Sequence, residues 1–575
     1  MDRRQFTQSL LATGAIAGLV RTGRSDNPPA TARVARGRRG VVATVHPLAT
    51  QAAIESFERG GNAVDAAVAA SLMLSVVDIH NSGLGGGGLA LVRAPDGQVF
   101  AIDGRERAPL LSTPETYFRN GSPDPRLSQT GALAAATPGL PALLHHIATR
   151  FGTTDWRASL QAAARVAAEG FPIDAPMARN LASHRKVFQQ FAETARILAP
   201  ESSAPLAVGQ RLIQVDLART LHQLAEQGLD WFYRGEFAER TEKLMQRSGG
   251  LMNREDFAQY ALGEREPIEC EYRQRRIFGF PPPSSGGLHI AQMLKMLSGY
   301  DVKAIFQESE AKGLHLLAEV MKRAMADRAQ WLGDADFAKV PRGLLDPEYL
   351  TNRASDINLE RATFVSGFGT PDRASEDLFA PGKHTTHLTT ADDRGYVVAL
   401  TQTVNTSFGS KMIVPGTGVL LNNEMDDFSL APGVRNAFGL VGSAANAVAP
   451  GKRPLSSMSP TIVFDSKGDF RLACGAAGGP KIITTVLQML VRCIDLEQSI
   501  DQALAAPRIH HQWSPDILAY EEALSKSTVD ELKNSGHTLE SGKSLAVSQA
   551  IARLPSGELM AASDPRVPSS AASQP

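Results

Sequence analysis

The spacing of apolar residues predicts two consecutive helices near the start of the folded chain. Within 47–58, apolar side chains recur at the spacing of one helical face. Gly60-Gly61 marks the end of that segment, and Asn62 is placed to cap a second apolar helix over 63–77. Because each boundary carries its own stop or cap signal, both helices are expected with well-defined ends.

The rest of the chain alternates between strand-like and helix-like patterns. Leu89–Val92 and Val99–Ile102 flank the turn at Pro95–Gly97 and predict a hairpin, whereas 132–335 is mostly helical, most clearly at 315–332. The last third returns to short strands at 385–390, 396–405, 419–422, 462–465 and 470–474, followed by a helix at 482–493 and a loose tail at 566–575. Strands bracketed by helices in both halves predict an α/β fold of layered sheets covered by helices, with the two halves sharing one core.

Composition narrows the classes of function. The 575 residues are 43% hydrophobic, and 59 Lys and Arg balance 60 Asp and Glu. That balance argues against bulk binding to nucleic acid or to an anionic membrane surface. The three cysteines form no CxxC pair, and no HExxH is present, so neither a disulfide scaffold nor a metal site is expected.

The first 32 residues have the pattern of an export signal. The pair Arg3-Arg4 precedes a short apolar run at 10–20, and Ala30-Thr31-Ala32 offers a cleavage site. The run is too short for the ~20 residues that cross a bilayer. We therefore expect a twin-arginine signal over 1–32 and a periplasmic or extracellular protein with no membrane span. A cytosolic protein with a frayed N-terminus is the alternative.

A glycine-rich stretch at 83–88 matches the spacing of a dinucleotide-binding motif, with Asp103 twenty residues after its first glycine. A strand follows these glycines where a phosphate-binding helix would have to begin. The glycines are therefore expected to permit close backbone approach, and no nucleotide cofactor is predicted.

Several polar clusters in the strand-rich regions are candidates for chemistry. Thr401, Thr403 and Asn405 occupy every second position of a predicted strand and therefore share one face. In a core strand, that face would be apolar. Further along the chain, 422–428 carries amides and carboxylates, 454–460 carries hydroxyls, Gly478-Gly479 precedes a helix, and Arg105 follows the first hairpin between two acids. Each cluster also fits an ordinary turn, cap or surface ion pair. Together, and without metal ligands, they favour acyl transfer by a hydroxyl nucleophile.

In these motifs the chain resembles the γ-glutamyltranspeptidase (glutathione hydrolase) precursors, which are N-terminal nucleophile hydrolases. The resemblance runs from about residue 40 to 566 and rests on ten motifs in order: HPLAT, GGNAVDAAVA, SGLGGGG, DGRERAP, PPPSSGG, TTH, TQTVN, NNEMDDFS, GKRPLSSMSP and the Gly-Gly before ITT. It implies a four-layer αββα sandwich, with 33–384 and 385–575 as large- and small-subunit regions of one intertwined domain. It also implies a secreted zymogen that cuts itself into a heterodimer and needs no cofactor.

The family match implies a role for each motif residue. Cleavage between His384 and Thr385 would free Thr385 as the nucleophile, acting on glutathione and other γ-glutamyl compounds with water or an amino acid or peptide as acceptor. A free α-amine has a pKa near 7.7–8, so it can take a proton from its own hydroxyl. The remaining implied residues are Arg105, Ser456 and Ser457 for the substrate α-carboxylate, Asn405, Glu424 and Asp427 for its α-amino group, Thr403 as support for Thr385, and the N–H groups of Gly478 and Gly479 as the oxyanion hole.

Two positions depart from the family pattern. Phe438 stands in the lid segment 432–443 where a Tyr is common, so it has no hydroxyl for Asn405, which is then expected to rely on water or the substrate amine. Ala477 stands where a Pro commonly precedes the two glycines. Two other functions remain open: a related acylase that removes glutaryl-type side chains from β-lactam nuclei, and an inactive secreted binding protein on the same fold.

Overall fold

The computed structural model describes residues 31–200, 204–372 and 387–575. In this part of the chain the strands are β1 (Arg33–Gly37), β2 (Gly40–Thr44), β3 (Gly87–Arg93), β4 (Val99–Gly104), β5 (Phe118–Arg119), β6 (Ser122–Pro123), β7 (Phe171–Pro172), β8 (Arg211–Leu212), β9 (Gly263–Arg265), β10 (Ile268–Tyr272), β11 (Arg275–Gly279), β12 (His387–Asp392), β13 (Val397–Thr403), β14 (Thr461–Phe464), β15 (Phe470–Ala477), β16 (Ile509–His511), β17 (Leu518–Glu521), β18 (Leu539–Gly542), β19 (Val547–Arg553), β20 (Leu559–Ser563) and β21 (Ser570–Gln574).

The helices in the same ranges are α1 (Pro47–Glu58), α2 (Ala63–Val77), α3 (Arg126–Gln129), α4 (Leu140–Phe151), α5 (Arg157–Glu169), α6 (Ala175–Phe188), α7 (Ala192–Leu198), α8 (Val215–Gln227), α9 (Leu229–Tyr233), α10 (Glu236–Ser248), α11 (Arg254–Ala258), α12 (Gly286–Leu297), α13 (Val302–Glu308), α14 (Glu310–Trp331), α15 (Pro347–Ala354), α16 (Lys481–Ile494), α17 (Ile500–Ala505) and α18 (Lys526–Asn534). Short 3₁₀ helices lie at Pro114–Tyr117, Ala132–Ala134, Arg342–Leu345, Glu424–Asp427 and Ala444–Asn446. None of these helices is long and apolar enough to cross a membrane.

Two large antiparallel sheets form the centre of the molecule. The first has the order β1-β20-β19-β15-β14-β11-β10, and the second has the order β21-β2-β12-β13-β3-β4-β9. Along β3, Leu89 and Leu91 join an inner cluster with residues of the first sheet, whereas Ala90 and Val92 join the cluster under the outer helices. Successive side chains of a strand point to opposite faces, so a strand buried on both faces must be apolar throughout. The two sheets therefore pack face to face.

Helices cover the outer face of each sheet. Residues of α1, α2, α4, α5 and α8 share one core with the second sheet, and residues of α12, α14, α16 and α17 share another with the first sheet. This arrangement confirms the predicted four-layer αββα sandwich. Strands from before and after the predicted cleavage point are mixed in both sheets. In the first sheet, β20, β19, β15 and β14 lie between β1 and β11, and in the second, β12 and β13 lie between β2 and β3.

The strongest local signals in the sequence gave the most accurate boundaries. The helices α1 and α2 occupy the predicted ranges, and the Asn62 side chain accepts from the N–H groups of Val64 and Asp65 while Asp65 caps Asn62 in return. A reciprocal cap of this kind satisfies N–H groups that the first helical turn leaves unpaired. The predicted hairpin is also present, as β3 and β4.

Two of the predicted elements, the strand at 419–422 and the loose tail at 566–575, were wrong. Residues 419–422 make only isolated bridges, Ile413 to Leu420 and Gly85 to Leu421. The region 132–335 is mostly helical, as predicted, and it also contains the β10–β11 hairpin. The supposed tail forms β21, which pairs with β2 from Ser570 to Gln574. Its short Ser and Ala side chains give little strand signal, because strands are enriched in β-branched and aromatic residues.

Candidate active site

One cavity of about 350 Å³ collects most of the predicted site residues. It opens beside the C-terminal ends of β13 and β15. Its lining includes these predicted residues: Thr403, Asn405, Glu424, Asp427, Phe438, Ser457, Ala477, Gly478 and Gly479. Thr385 and His384 fall outside the described residues. The described end of β12 is His387, which pairs with Thr401 of β13.

Thr403 and Asn405 lie where β13 leaves the sheet. Asn405 has a left-handed backbone conformation, with φ of 74°. It therefore does not continue the strand, although the sequence predicted a strand up to this residue. Its backbone N–H donates to the Thr403 hydroxyl oxygen at 2.7 Å, which leaves the O–H of Thr403 to donate elsewhere. Thr401 is instead fully buried beside His387, 3.2 Å from its Nδ1. Of the three predicted polar residues, only Thr403 and Asn405 therefore face the cavity.

The Asn405 side chain has a protein partner, contrary to the sequence expectation. Its Nδ2 donates to the backbone carbonyl of Asn423 at 3.0 Å. A side-chain amide also has an acceptor oxygen. This contact, between residues 18 positions apart, uses the amide nitrogen and leaves the amide oxygen for a ligand.

A 3₁₀ turn at the edge of the cavity carries the acidic residues. Burial raises the pKa of Glu424 well above its usual range, and it raises the pKa of Asp427 to about 6, although Arg105 opposes both shifts. Both carboxyl groups contact Arg105: Glu424 through Nη1, and Asp427 through Nη2 at 2.8 Å. Glu106 approaches the same guanidinium at 3.5 Å. Three carboxyl groups around one arginine make this wall rich in acids.

Arg105 and Ser456 lie behind the cavity wall. Arg105 follows β4 and is fully buried, and besides the two acids it donates to the Pro454 carbonyl from Nε at 3.4 Å and from Nη2 at 3.3 Å. Ser456 is also fully buried, and its hydroxyl oxygen accepts from Met458 N–H at 2.9 Å. Its neighbour Ser457 lines the cavity and accepts from Arg328 at 3.2 Å.

The opposite wall is formed by the two glycines at the end of β15. Gly478 and Gly479 have φ of 143° and 60°, which side-chain-bearing residues rarely adopt. A Cβ on Gly479 would lie 2.7 Å from the Phe438 ring. The glycine pair lies just before Pro480, the N-cap of α16, and the N-terminus of this helix favours negative charge. Backbone N–H groups in this position suit a developing oxyanion.

Phe438 packs over this wall as part of the lid segment. The Asn436 side chain accepts from Phe438 N–H at 3.0 Å and from Leu440 N–H at 3.1 Å. The Phe438 carbonyl accepts from Gln512 at 3.3 Å. The lid segment is therefore folded against the cavity in this structure.

The glycine-rich stretch at 83–88 has the structural role that its context predicted. A Cβ on Gly86 would overlap the Thr403 carbonyl, and one on Gly85 would overlap the Leu420 carbonyl. These glycines let two backbone segments pass close to each other beneath the cavity. No phosphate-binding helix follows them, since β3 begins at Gly87.

Sequence reasoning missed five residues of the site. Asn81, Thr406, Ser407 and Leu440 also line the cavity, and Arg328 lies behind Ser457. Thr406 and Ser407 directly extend a predicted motif, and Asn81 lies two residues before the glycine-rich stretch. Their closeness in the chain to these motifs was therefore a signal that could have identified them. Arg328 lies within the long helix α14, where no sequence pattern marked it as a site residue.

One group of side chains within the described residues has spacing suited to a metal ion: His315, Glu319 and His537. The two histidines contact each other at 2.8 Å, and Glu319 pairs with Lys322 at 2.9 Å and with Arg323 at 2.8 Å. Because the cations already balance Glu319, this group is a buried polar network apart from the cavity.

The comparisons with known proteins agree with this site. The model of the gamma-glutamyltranspeptidase family matches residues 49–574. The chain belongs to the gamma-glutamyltranspeptidase family. A glutathione hydrolase proenzyme of Escherichia coli K12 is 41% identical over 540 residues, covering 92% of this chain and 91% of its own length. The predicted family and the prediction of an enzyme are thereby confirmed.

Solved structures show the same fold. Cephalosporin acylase from Bacillus halodurans covers 97% of this chain and 100% of its own, with 28% identity and a TM-score of 0.84. Helicobacter pylori gamma-glutamyltranspeptidase is 33% identical, with a TM-score of 0.53, and covers 58% of this chain and 94% of its own. The gamma-glutamyltranspeptidase fold thus agrees with the αββα layers described above.

Proposed function

We propose that this chain is a self-cleaving γ-glutamyltransferase and glutathione hydrolase. The observation that carries the proposal is the composition of the cavity: an acid-rich wall around Arg105 faces a pair of positive-φ glycines at a helix N-terminus. The first wall suits the zwitterionic head of an amino acid, and the second suits the oxyanion of an acyl transfer. The family membership supports the same activity.

Thr385 is the proposed nucleophile. It precedes His387, the first residue of β12, by two positions in the chain. In the register of β12 and β13, His387 pairs with Thr401, and Thr403, two residues further along β13, lines the cavity. The O–H of Thr403, whose oxygen already accepts from Asn405, is then available to support the Thr385 hydroxyl.

The proposed maturation uses the same hydroxyl. Thr385 Oγ attacks the carbonyl carbon of His384, the peptide C–N bond breaks, and an ester and a free Thr385 amine result. Water then hydrolyses the ester to a His384 carboxylate and a free Thr385 hydroxyl. Unperturbed α-amines have a pKa near 7.7–8, so the new amine can accept the hydroxyl proton in later turnovers.

In turnover, Thr385 Oγ attacks the γ-carbonyl of the donor while the N–H groups of Gly478 and Gly479 hold the oxyanion. The proton from Oγ passes through the Thr385 amine to the departing amine of the donor, and a γ-glutamyl ester remains. Water or the amine of an amino acid or peptide then cleaves this ester. The developing charge lies at the N-terminus of α16, where it is stabilised.

The donor's head group is proposed to bind at the acid-rich wall. Glu424, Asp427 and the Asn405 amide oxygen receive its ammonium group, whose charge favours the ionised carboxylates. Arg105, Ser456 and Ser457 serve its α-carboxylate. Since Arg105 donates to both acids in this structure, we propose that the incoming zwitterion exchanges partners with them.

A glutaryl-type acylase is the second candidate, favoured by the structural likeness to cephalosporin acylase. A glutaryl donor has no α-ammonium group, so it would leave the acids of this wall unmatched. Turnover of γ-glutamyl and glutaryl p-nitroanilides tests the assignment. We expect kcat/KM to favour the γ-glutamyl donor by at least about tenfold, as one charge-assisted contact allows. A preference for the glutaryl donor would overturn the proposed function.

The segments 1–32, 33–384 and 385–575 are proposed as a twin-arginine signal, a large subunit and a small subunit. Export to the periplasm or the extracellular space follows from the signal. The heterodimer is supported by the presence of strands from both regions in each large sheet, which would keep the pieces together after cleavage. It is also consistent with a Helicobacter chain that aligns almost completely with only 58% of this one.

Donor binding is expected to weaken in acid. Burial raises the pKa of Asp427 to about 6, so below that pH the carboxyl is protonated and loses its attraction for the ammonium group. KM for a γ-glutamyl anilide should rise as the pH falls through 6, by a factor that approaches about tenfold per pH unit. Above about pH 7, KM should stay level. Asp427→Asn should have a high KM without this acid limb. A KM that stays constant from pH 5 to 7 in the wild type would contradict the role of Asp427.

Phe438→Tyr is expected to raise the ratio of transfer to hydrolysis about two- to twelvefold at fixed acceptor concentration. The new hydroxyl can donate to the Asn405 amide oxygen, and one such bond contributes about 0.5–1.5 kcal/mol to lid closure. A tighter lid admits less water to the acyl-enzyme. Phe337→Tyr, at a half-exposed ring outside the cavity lining, is the control. An unchanged or lower ratio would show that position 438 does not gate the cavity.

A further inference from the structure

A second buried guanidinium lies behind the cavity, on the long helix α14. Arg328 is 5% exposed, and it donates from Nε to the Ser285 hydroxyl at 2.8 Å and from Nη2 to the Ser457 hydroxyl at 3.2 Å. Ser457 itself lines the cavity. Arg328 is thus one side chain removed from the space that a donor would occupy.

The contact with Arg328 determines what Ser457 can offer to a ligand. A guanidinium has only donors, so the Ser457 oxygen must be the acceptor in this pair. The O–H of Ser457 is therefore left to donate to another group. A hydroxyl held in this way, at the surface of the cavity, is suited to an anion such as a carboxylate.

The charge of Arg328 differs from that of Arg105 in how it is balanced. Arg105 contacts the carboxyl groups of Glu424 and Asp427, whereas the hydrogen bonds of Arg328 go to two neutral hydroxyl groups. Burial lowers the pKa of Arg328 to about 10, with Asp427 opposing the shift, so the side chain stays charged at neutral pH. Its positive field is consequently felt at Ser457, and Asp427 is the acid that interacts with both Arg105 and Arg328.

We propose that Arg328 is a positioning residue for the α-carboxylate of the donor: it orients the Ser457 hydroxyl as a donor and adds a positive field behind it. The proposal rests on the proposed function, since it concerns the same substrate. Arg328 acts through Ser457 and does not touch the donor. It makes the cavity selective for acyl donors that carry an α-carboxylate.

The test compares two anilide donors that differ only in that group. The γ-glutamyl p-nitroanilide carries the α-carboxylate, and the 4-aminobutanoyl p-nitroanilide lacks it but keeps the amine. Arg328→Gln should lower kcat/KM for the first donor about 10- to 100-fold, mainly by raising KM, and should change the second by less than about twofold. Arg328→Lys should recover part of the loss, because it keeps the charge without the fork.

Ser457→Ala should cause the same selective loss, and the double variant should be no worse than either single variant, because both act through one contact. Arg323→Lys is the matched control, since Arg323 is a buried arginine of the same helix that pairs with Glu319 and Asp356. It should leave the ratio between the two donors unchanged. Should Arg328→Gln fail to fold, Arg328→Lys and Ser457→Ala still give that ratio.

Equal losses for both donors, a loss confined to kcat, or additive effects in the double variant would overturn the proposal. If the wild type cleaves the γ-glutamyl anilide but the ratio of kcat/KM between the two donors does not change in the Arg328 variants, only this inference is refuted. A wild type inactive on every γ-glutamyl donor would refute the proposed function itself.

Discussion

Thr385→Ala is expected to leave the protein as one uncut chain with no measurable turnover of γ-glutamyl donors. Both the cleavage and the acyl-enzyme require the Thr385 hydroxyl, so its removal abolishes two reactions at once. Loss of a nucleophile of this kind lowers kcat by at least about 10⁴-fold. A denaturing gel and an anilide assay on the same preparation measure both effects.

The neighbouring threonine provides a matched control for that variant. Thr386→Ala removes an identical hydroxyl one position later and should still yield two pieces and an active enzyme. Thr385→Ser keeps a hydroxyl nucleophile and should cleave itself, at a reduced rate. If Thr385→Ala still splits at the bond after His384, an outside protease makes the cut and the role of Thr385 fails.

Arg105→Lys is expected to lower kcat/KM for γ-glutamyl donors by roughly 30-fold to several thousand-fold, which corresponds to about 2–5 kcal/mol. Lysine keeps the charge but cannot contact Glu424, Asp427 and the Pro454 carbonyl together as the planar fork does. The acids would then be less well placed for the ammonium group, and the α-carboxylate would lose its bidentate partner.

Arg107→Lys is the control for this variant. Arg107 lies two residues further along the chain and donates to the backbone carbonyls of Gly451 and Gln259 at 2.8 and 3.2 Å. Its replacement should leave KM for the donor within about twofold, as expected for a site away from the cavity. Wild-type kinetics in Arg105→Lys would mean that the donor's carboxylate and the two acids are held without this guanidinium.

The sequence predicted those parts of the fold that depend on neighbouring residues. Asn62 and Asp65 cap α2 because a cap is a contact between residues three apart. The alternation of inner and outer side chains along β3 follows from strand geometry in the same way. The β21 strand escaped prediction because its stability comes from pairing with β2, more than 500 residues away in the chain.

The same distinction applies to the site. Family motifs identified most residues that line the cavity, but they did not predict that Arg105 contacts Glu424 and Asp427, which follow it by more than 300 residues. Nor did they predict the bond from Asn405 to the Asn423 carbonyl, which depends on the left-handed turn at Asn405. Arg328 shares no motif with Ser457 and reaches it only through the packing of α14 against the first sheet's loops.

The most direct test of the central claim is N-terminal sequencing of the purified wild-type protein. Self-cleavage at the proposed bond predicts two N-termini, one near Arg33 after export and one that begins Thr385-Thr386-His387. The preparation should cleave γ-glutamyl anilide while both pieces co-purify. An active preparation with a single uncut chain, or with a second N-terminus at any other residue, would contradict the assignment of Thr385 as the nucleophile.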